Sequence, residues 1–328
     1  MGRIESNLLT IFVVLIGSAG MSTLSRAGVE DVYKSGWGPH AVEVINPLIL
    51  AYAEQDKNLR VRVSYPADEG VYPVIVFSHG AFCSKDDYSL VTDHWASHGY
   101  VVFQPTHLDS KSLGKPDFRK MTAISFSRLD DLSFIVDSFD QIEEMVPDLA
   151  GRLDREKLSI AGHSMGAMTA ATVAGMRRKH PDGSVLKGTD NRFDAVVLLS
   201  GPGPMPDTPD NAWDDLTMPI YVASGPNDQV NMAGPGAIWE WRITTFTDTP
   251  AGDKYALIMQ KMTHPLGGFI CGSVEPGQQL EPEALTLVNG TSTAFLDAYL
   301  KNDEAARTYL SDDNVNEASG GMAELRSR

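Results

Sequence analysis

Gly162-His-Ser-Met-Gly166 constrains this chain more than any other stretch. A short apolar run, Leu158-Ser-Ile-Ala161, precedes it and reads as a buried strand; Ala167 to Met176 follows, rich in helix formers. Strand, sharp turn and helix in that order give the Gly-x-Ser-x-Gly pattern its meaning as a nucleophile elbow, with the Ser164 hydroxyl exposed at the top of a sheet. So tight a turn crowds the backbone two residues either side of the serine, and glycine at both places relieves the crowding. A chance match in a loop would carry neither the strand nor the helix.

An elbow needs a sheet to stand on, and the remaining chain supplies one. Leu59-Arg-Val-Arg-Val-Ser-Tyr65 alternates apolar and polar, the pattern of a half-exposed strand. Tyr72 to Phe77, Tyr100 to Pro105, Phe193 to Leu199, Pro219 to Ala223 and Lys254 to Met259 read as further strands. Helical stretches are expected over Asp86–His98, Arg128–Phe139, Ala237–Phe246 and Thr291–Leu300. Strands alternating with helices predict an α/β fold with a mostly parallel central sheet, helices on both faces and no large lid. With 328 residues and 42% hydrophobic content, one domain over 28–328 can bury an ample core. In such a sheet the site belongs at the carboxyl ends of the strands.

Those ends carry a consistent set of groups. After Phe77 comes Ser78-His-Gly-Ala-Phe82, a turn whose Ala81 N–H, with that of Met165, would form an oxyanion hole. After Ala223 comes Ser224-Gly-Pro-Asn-Asp228, and after Met259 comes Lys261-Met-Thr-His264. The order Ser164, Asp228, His264 suits an upstream elbow. His264 would take the serine proton, while Asp228 fixes the imidazole tautomer and steadies the cation. His79, His94, His98, His107 and His163 are rivals for the base but precede the acid in sequence; Asp194 begins a strand, and Asp207 and Asp210 sit in a Pro-rich loop.

Tyr72-Pro-Val-Ile-Val-Phe-Ser-His-Gly80, Ala96-Ser-His-Gly-Tyr-Val-Val102, the elbow and Ala294-Phe-Leu-Asp-Ala-Tyr-Leu-Lys301 carry a family likeness. They resemble the dienelactone-hydrolase-like branch of the α/β-hydrolases, which is related to platelet-activating-factor acetylhydrolases, chlorophyllases and bacterial polyester hydrolases. The resemblance runs from about Leu59 to Leu310. It implies a serine carboxylester hydrolase without cofactor or metal, with Ser164 as nucleophile, His264 as base and Ala81 and Met165 as oxyanion donors. Two departures stand out. The nucleophile is serine where dienelactone hydrolases use cysteine. Ser200 occupies the place of the acetylhydrolase acid, which again selects Asp228.

Substrate contacts are expected from Phe82, Met165 and Trp213, with Trp239 as a further wall and His107 lining the cleft or held in a structural hydrogen bond. Trp239 and Trp241 otherwise read as core residues of their helix. Rim segments would be 111–126, 201–213 and 266–271, around an accessible cleft. A secreted polyester or lipid hydrolase, or a binding protein that has lost catalysis, are the alternatives to a small-ester hydrolase. The formal charge of -16 argues against a nucleic-acid partner.

The first residues look like a leader. Arg3 precedes an apolar run, Leu8 to Ile16, too short to span a bilayer comfortably, and small residues follow. A signal peptide over 1–27 is expected, cleaved after Ala27 or earlier after Ala19 or Gly20, giving a secreted or periplasmic protein with no stable membrane span. Cys83 and Cys271 lie just beyond two site segments. They can pair in an oxidising compartment and tie two rim loops, or remain two free thiols.

Overall fold

The computed structural model describes residues 32–201, 203–228, 238–272, 279–311 and 314–328. The expected leader over 1–27 lies outside them. The chain opens with a hairpin of β1 (Val42–Tyr52) and β2 (Lys57–Pro66), then β3 (Tyr72–Ser78), α1 (Ser89–Ser97) and β4 (Val101–Pro105). Next come α2 (Met121–Asp137), α3 (Phe139–Met145), β5 (Leu153–His163) and α4 (Met165–Val173). A small hairpin of β6 (Ala174–Lys179) and β7 (Val185–Thr189) precedes β8 (Ala195–Leu199), β9 (Ile220–Ser224), α5 (Thr244–Asp248) and β10 (Lys254–Met259). The chain closes with α6 (Pro282–Leu300), α7 (Glu304–Ser311), α8 (Asn314–Ala318) and β11 (Ala323–Ser327).

Nine of these strands form one sheet in the order β1-β2-β4-β3-β5-β8-β9-β10-β11. The six from β4 to β10 run parallel, and the edges are antiparallel. The central strands are unbroken apolar runs because both faces are covered. Val74 and Val76 enter one core with Leu132 and Ile135 of α2 and Ala167 of α4. Their neighbours Ile75 and Phe77 enter the other, with Trp95 of α1 and Phe295 of α6. The period of two along the strand thus feeds two separate cores. This is the α/β-hydrolase arrangement. Among the described residues no helix is long and apolar enough to cross a membrane.

Several elements differ from expectation. β2 alternates as expected only up to Arg60 and is buried on both faces from Val61 on: its polar side chains Arg62 and Ser64 meet Asp93 of α1, with Arg62 Nη1 and Nη2 at 2.7 and 2.8 Å from the carboxylate. The elbow helix stops at Val173, and the basic run Arg177-Arg-Lys179 is held extended in β6. Arg177 pairs there with Asp215 and Arg178 with Asp207. α2 starts seven residues before Arg128, at Met121, and α6 starts at Pro282. The stretch expected as a helix from Ala237 forms a 3-10 turn over Trp239–Ile243 and then α5; Ala237 itself is outside the described residues.

Candidate active site

The elbow is made by close approach. β5 ends at His163, Ser164 takes φ 54° and ψ −118°, and α4 begins at Met165. A Cβ on Gly162 would stand 2.3 Å from the Gly166 carbonyl oxygen, and one on Gly166 would stand 2.0 Å from that of Ser78. Neither position admits a side chain, so the spacing of the two glycines follows from sterics. Backbone strain at the serine is held by the packed strand and helix on either side, and the Ser164 N–H donates to Leu199 O at 3.0 Å.

The structure brings the three distant side chains together. Ser164 Oγ lies 2.9 Å from His264 Nε2, and His264 Nδ1 lies 2.8 Å from Asp228 Oδ1. Asp228 follows β9 and is 1% exposed. Its other oxygen accepts from Ser224 Oγ at 2.8 Å, and Arg242 Nε stands 3.6 Å from Oδ1. Burial opposes ionisation of this carboxyl, but the His264 hydrogen bond and the Arg242 charge outweigh it and hold it below the usual carboxylate range. An ionised Asp228 accepts the Nδ1 proton of His264, which leaves Nε2 as the acceptor for the Ser164 hydroxyl. Asp194 instead accepts from Leu158 N, and Asp207 is taken by Arg178.

The loop carrying His264 is itself held. His163 Nε2 donates to the His264 carbonyl at 2.9 Å, and Ser200 Oγ approaches the same oxygen at 3.4 Å. Ser200, standing where the acetylhydrolase-like acid would be, therefore supports the backbone of His264.

Around the other wall, nearly every polar group of the turn after β3 is occupied. Arg128 Nη1 donates to His79 O at 2.6 Å and Nη2 to Gly80 O at 3.3 Å. The same guanidinium grips Asp109 through three contacts of 2.7–3.0 Å, and Asp109 Oδ2 accepts the Phe82 N–H at 3.1 Å. Gly80 N donates to Tyr88 Oη at 2.8 Å. Among the described residues the Ala81 and Met165 amides donate to no protein acceptor, and both line the same cavity as Ser164. Burial raises the cost of charging Asp109, yet Arg128 brings its pKa down to about 2. Sequence reasoning named the turn but missed this clamp. A lone Arg128 at the polar position of a helix pattern looks like any solvated arginine.

That cavity holds about 580 Å³. Phe82 lines it, as expected, together with segments 121–126 and 205–207 of two expected rims. Segment 266–271 is absent from its lining, and the β6–β7 hairpin takes part instead through Arg178 to Pro181. Two residues expected as possible pocket walls stand outside the cavity lining, His107 in its structural alternative and Trp213 as a correction. His107 is fully buried, with Nδ1 donating to Asp131 Oδ2 and Nε2 accepting from Ser78 Oγ, both at 2.8 Å. Trp213 lies in the core at 5% exposure, in the same buried cluster as Val196 of β8 and Ile220 of β9, because its loop turns it inward. Trp239 packs against that core, whereas Trp241 lines the cavity. Cys83 and Cys271 are joined in a disulfide with Cα atoms 5.1 Å apart.

Comparison with known proteins agrees with the fold. Residues 29–190 match the family model described as Chlorophyllase, a span that contains the turn after β3 and the elbow but neither Asp228 nor His264. The chain is 35% identical to Chlorophyllase type 0 of Chenopodium album over 111 residues, covering 33% of this chain and 30% of that one. It is 30% identical to Chlorophyllase-2 of Arabidopsis thaliana over 112 residues, 34% of this chain and 32% of that protein. Over 40 residues, 12% of each chain, it is 48% identical to Chlorophyllase-1, chloroplastic, of Citrus unshiu. The matches thus span a third or less of the length of these relatives. From residue 29 to residue 190 the chain is thus similar to the chlorophyllase family, and its described residues fold as an α/β-hydrolase.

Proposed function

We propose that this chain is a serine carboxylic-ester hydrolase that works through an acyl-enzyme on Ser164, with 28–328 as its one domain. The observation that carries this reading is the unbroken hydrogen-bonded line Ser164–His264–Asp228, beside two amides that donate to no acceptor among the described residues. Ser164 Oγ forms a bond to the ester carbonyl carbon while its proton passes to His264 Nε2. The carbonyl oxygen, now negative, accepts from the Ala81 and Met165 amides; removing one such donor typically costs about 3–4 kcal/mol of transition-state stabilisation. Collapse breaks the bond to the alcohol oxygen, which leaves with the proton from His264. Water then gives a proton to the same imidazole, adds to the acyl carbon and releases the acid, and Ser164 recovers its proton. Asp228 keeps the imidazole in the required tautomer throughout.

The names of the relatives make chlorophyll an ester to assay. The Cys83–Cys271 disulfide and the leader-like first residues support an address outside the reducing cytosol.

The test is labelling with a fluorophosphonate together with turnover of para-nitrophenyl esters. Wild type should label on the peptide containing Ser164 and release nitrophenol. Ser164→Ala should lose the label and at least about a thousandfold of the activity, with an unchanged melting temperature. A folded wild type that neither labels nor turns over would instead be a binding protein.

A further inference from the structure

The cavity beside Ser164 has a direction. Ser164 and both proposed oxyanion donors, Ala81 and Met165, line it, while His264 is not among its lining residues. In acyl transfer the departing oxygen must receive the proton held on His264 Nε2, so the alcohol part of an ester stands on the imidazole side. The group that remains on the carbonyl carbon extends the other way. Here that way leads into the cavity.

Its walls state what that group should be. Met121, Phe126, Met168, Met205 and Trp241 are half-buried and face a space of about 580 Å³, within the range of pockets that enclose a whole drug-sized molecule. An acetyl group would leave most of it unfilled. Methionine walls are polarizable and adapt to the shape of a guest. Two buried cations line it: Arg178 Nε and Nη2 donate to Asp207 at 2.8 and 2.5 Å, with the guanidinium 4.6 Å from the centre of the Phe126 ring, and Arg242 stands 3.6 Å from Asp228 Oδ1 and 5.0 Å from the centre of the Trp241 ring. Each of the two thus already faces a carboxylate of the protein.

We infer that this cavity is an acyl pocket, and that the protein selects esters of large, neutral, apolar carboxylic acids while making little demand on the alcohol. The inference rests on the reading of Ser164 as nucleophile. Two ester series test it. With para-nitrophenol as constant alcohol, kcat/KM should climb from acetate through butyrate to octanoate, by up to about fourfold per methylene buried. With butyrate as constant acid, methyl, butyl and octyl esters should agree within about threefold. Met168→Trp, which fills the pocket, should lower the octanoate-to-acetate ratio of kcat/KM by at least about tenfold. Met205→Trp serves as a second filling variant, and fluorophosphonate labelling confirms that each variant keeps a reactive serine. A flat acyl series, or a steep alcohol series, with labelling intact overturns the acyl assignment and leaves the hydrolase reading standing. Absence of labelling and of all turnover in the folded wild type removes both.

Discussion

His163 Nε2 donates to the carbonyl oxygen of His264 at 2.9 Å, so the residue before the proposed nucleophile holds the backbone of the proposed base. The bond is part of a longer chain. With Nε2 donating, His163 Nδ1 must accept, and it does so from Tyr88 Oη at 3.0 Å. Tyr88 in turn accepts the Gly80 N–H at 2.8 Å. One relay therefore spans from the turn after β3 to the loop after β10, and it fixes the two sides of the site relative to each other.

Tyr88→Phe breaks that relay at its middle. Gly80 N and His163 Nδ1 both lose a buried partner, which should cost about 1–3 kcal/mol of stability each where water cannot reach them. A purely structural residue would lower the melting temperature and leave the chemistry of the folded fraction alone. The relay predicts more: kcat should fall about tenfold with KM nearly unchanged, because only the alignment of the proposed base and oxyanion donors is disturbed. Active-site titration with a fluorophosphonate, which counts folded sites, separates the two outcomes. An unchanged kcat per titrated site would remove the positioning role.

The parts of this architecture that were legible in the sequence are those fixed by local sterics or by order along the chain. The glycines at 162 and 166 are forced by approach distances near 2 Å, and such a requirement leaves its mark in five consecutive residues. The placement of Asp228 and His264 could be anticipated because strand ends in a parallel sheet converge on one rim. The cavity walls could not. Met121, Met168, Met205 and Trp241 come from four separate segments, and each also fits a core or surface position of its own element. Place after a strand left His107 open to the cleft or to a structural hydrogen bond and put Trp213 at the cleft, but a residue just past a strand end can equally turn back into the interior. β1 was hidden by Asn46-Pro47, where the pairing with β2 shifts register between Ile45 and Leu48. β11 was hidden by its polar residues, which suit an edge strand.

Buried histidines should make the protein sensitive to mild acid. Burial, then the neighbouring His264, lowers the pKa of His163 to about 3; burial, then His98, does the same for His94. Burial and then Arg128 push His79 and His107 down as well. In the unfolded chain each takes a proton near pH 6.5. The folded pKa values are depressed, so the stabilisation is complete above pH 6.5 and drains away as pH falls toward 3. Linkage gives about 2 kcal/mol lost per such histidine between pH 7 and pH 5. The depressed carboxyls of Asp109 and Asp228 contribute nothing in that window, since their losses begin only when pH falls into the ordinary carboxylate range and continue down to the folded pKa. Urea unfolding at pH 7, 6 and 5 should therefore show a steep fall in stability before the carboxylates titrate. A flat profile from pH 7 to 5 would contradict the buried neutral state of these imidazoles.

The pair Arg128–Asp109 offers a way to separate stability from positioning. Both side chains are fully buried, and together they hold the carbonyls of His79 and Gly80 and the amide of Phe82. Asp109→Leu leaves the guanidinium without its counter-charge and should cost about 3–5 kcal/mol. Combining it with Arg128→Met removes both charges and should restore a large part of that loss, since a buried pair exchanged for apolar side chains is often nearly neutral. Activity should not return with it. In the double variant the turn around Ala81 has lost three of its restraints, so its N–H no longer points at the carbonyl oxygen with fixed geometry, and kcat per titrated site should stay at least about tenfold below wild type. Unfolding midpoints and titrated kcat, measured on both variants, decide the matter: recovery of both together would make the pair a structural ion pair and nothing more.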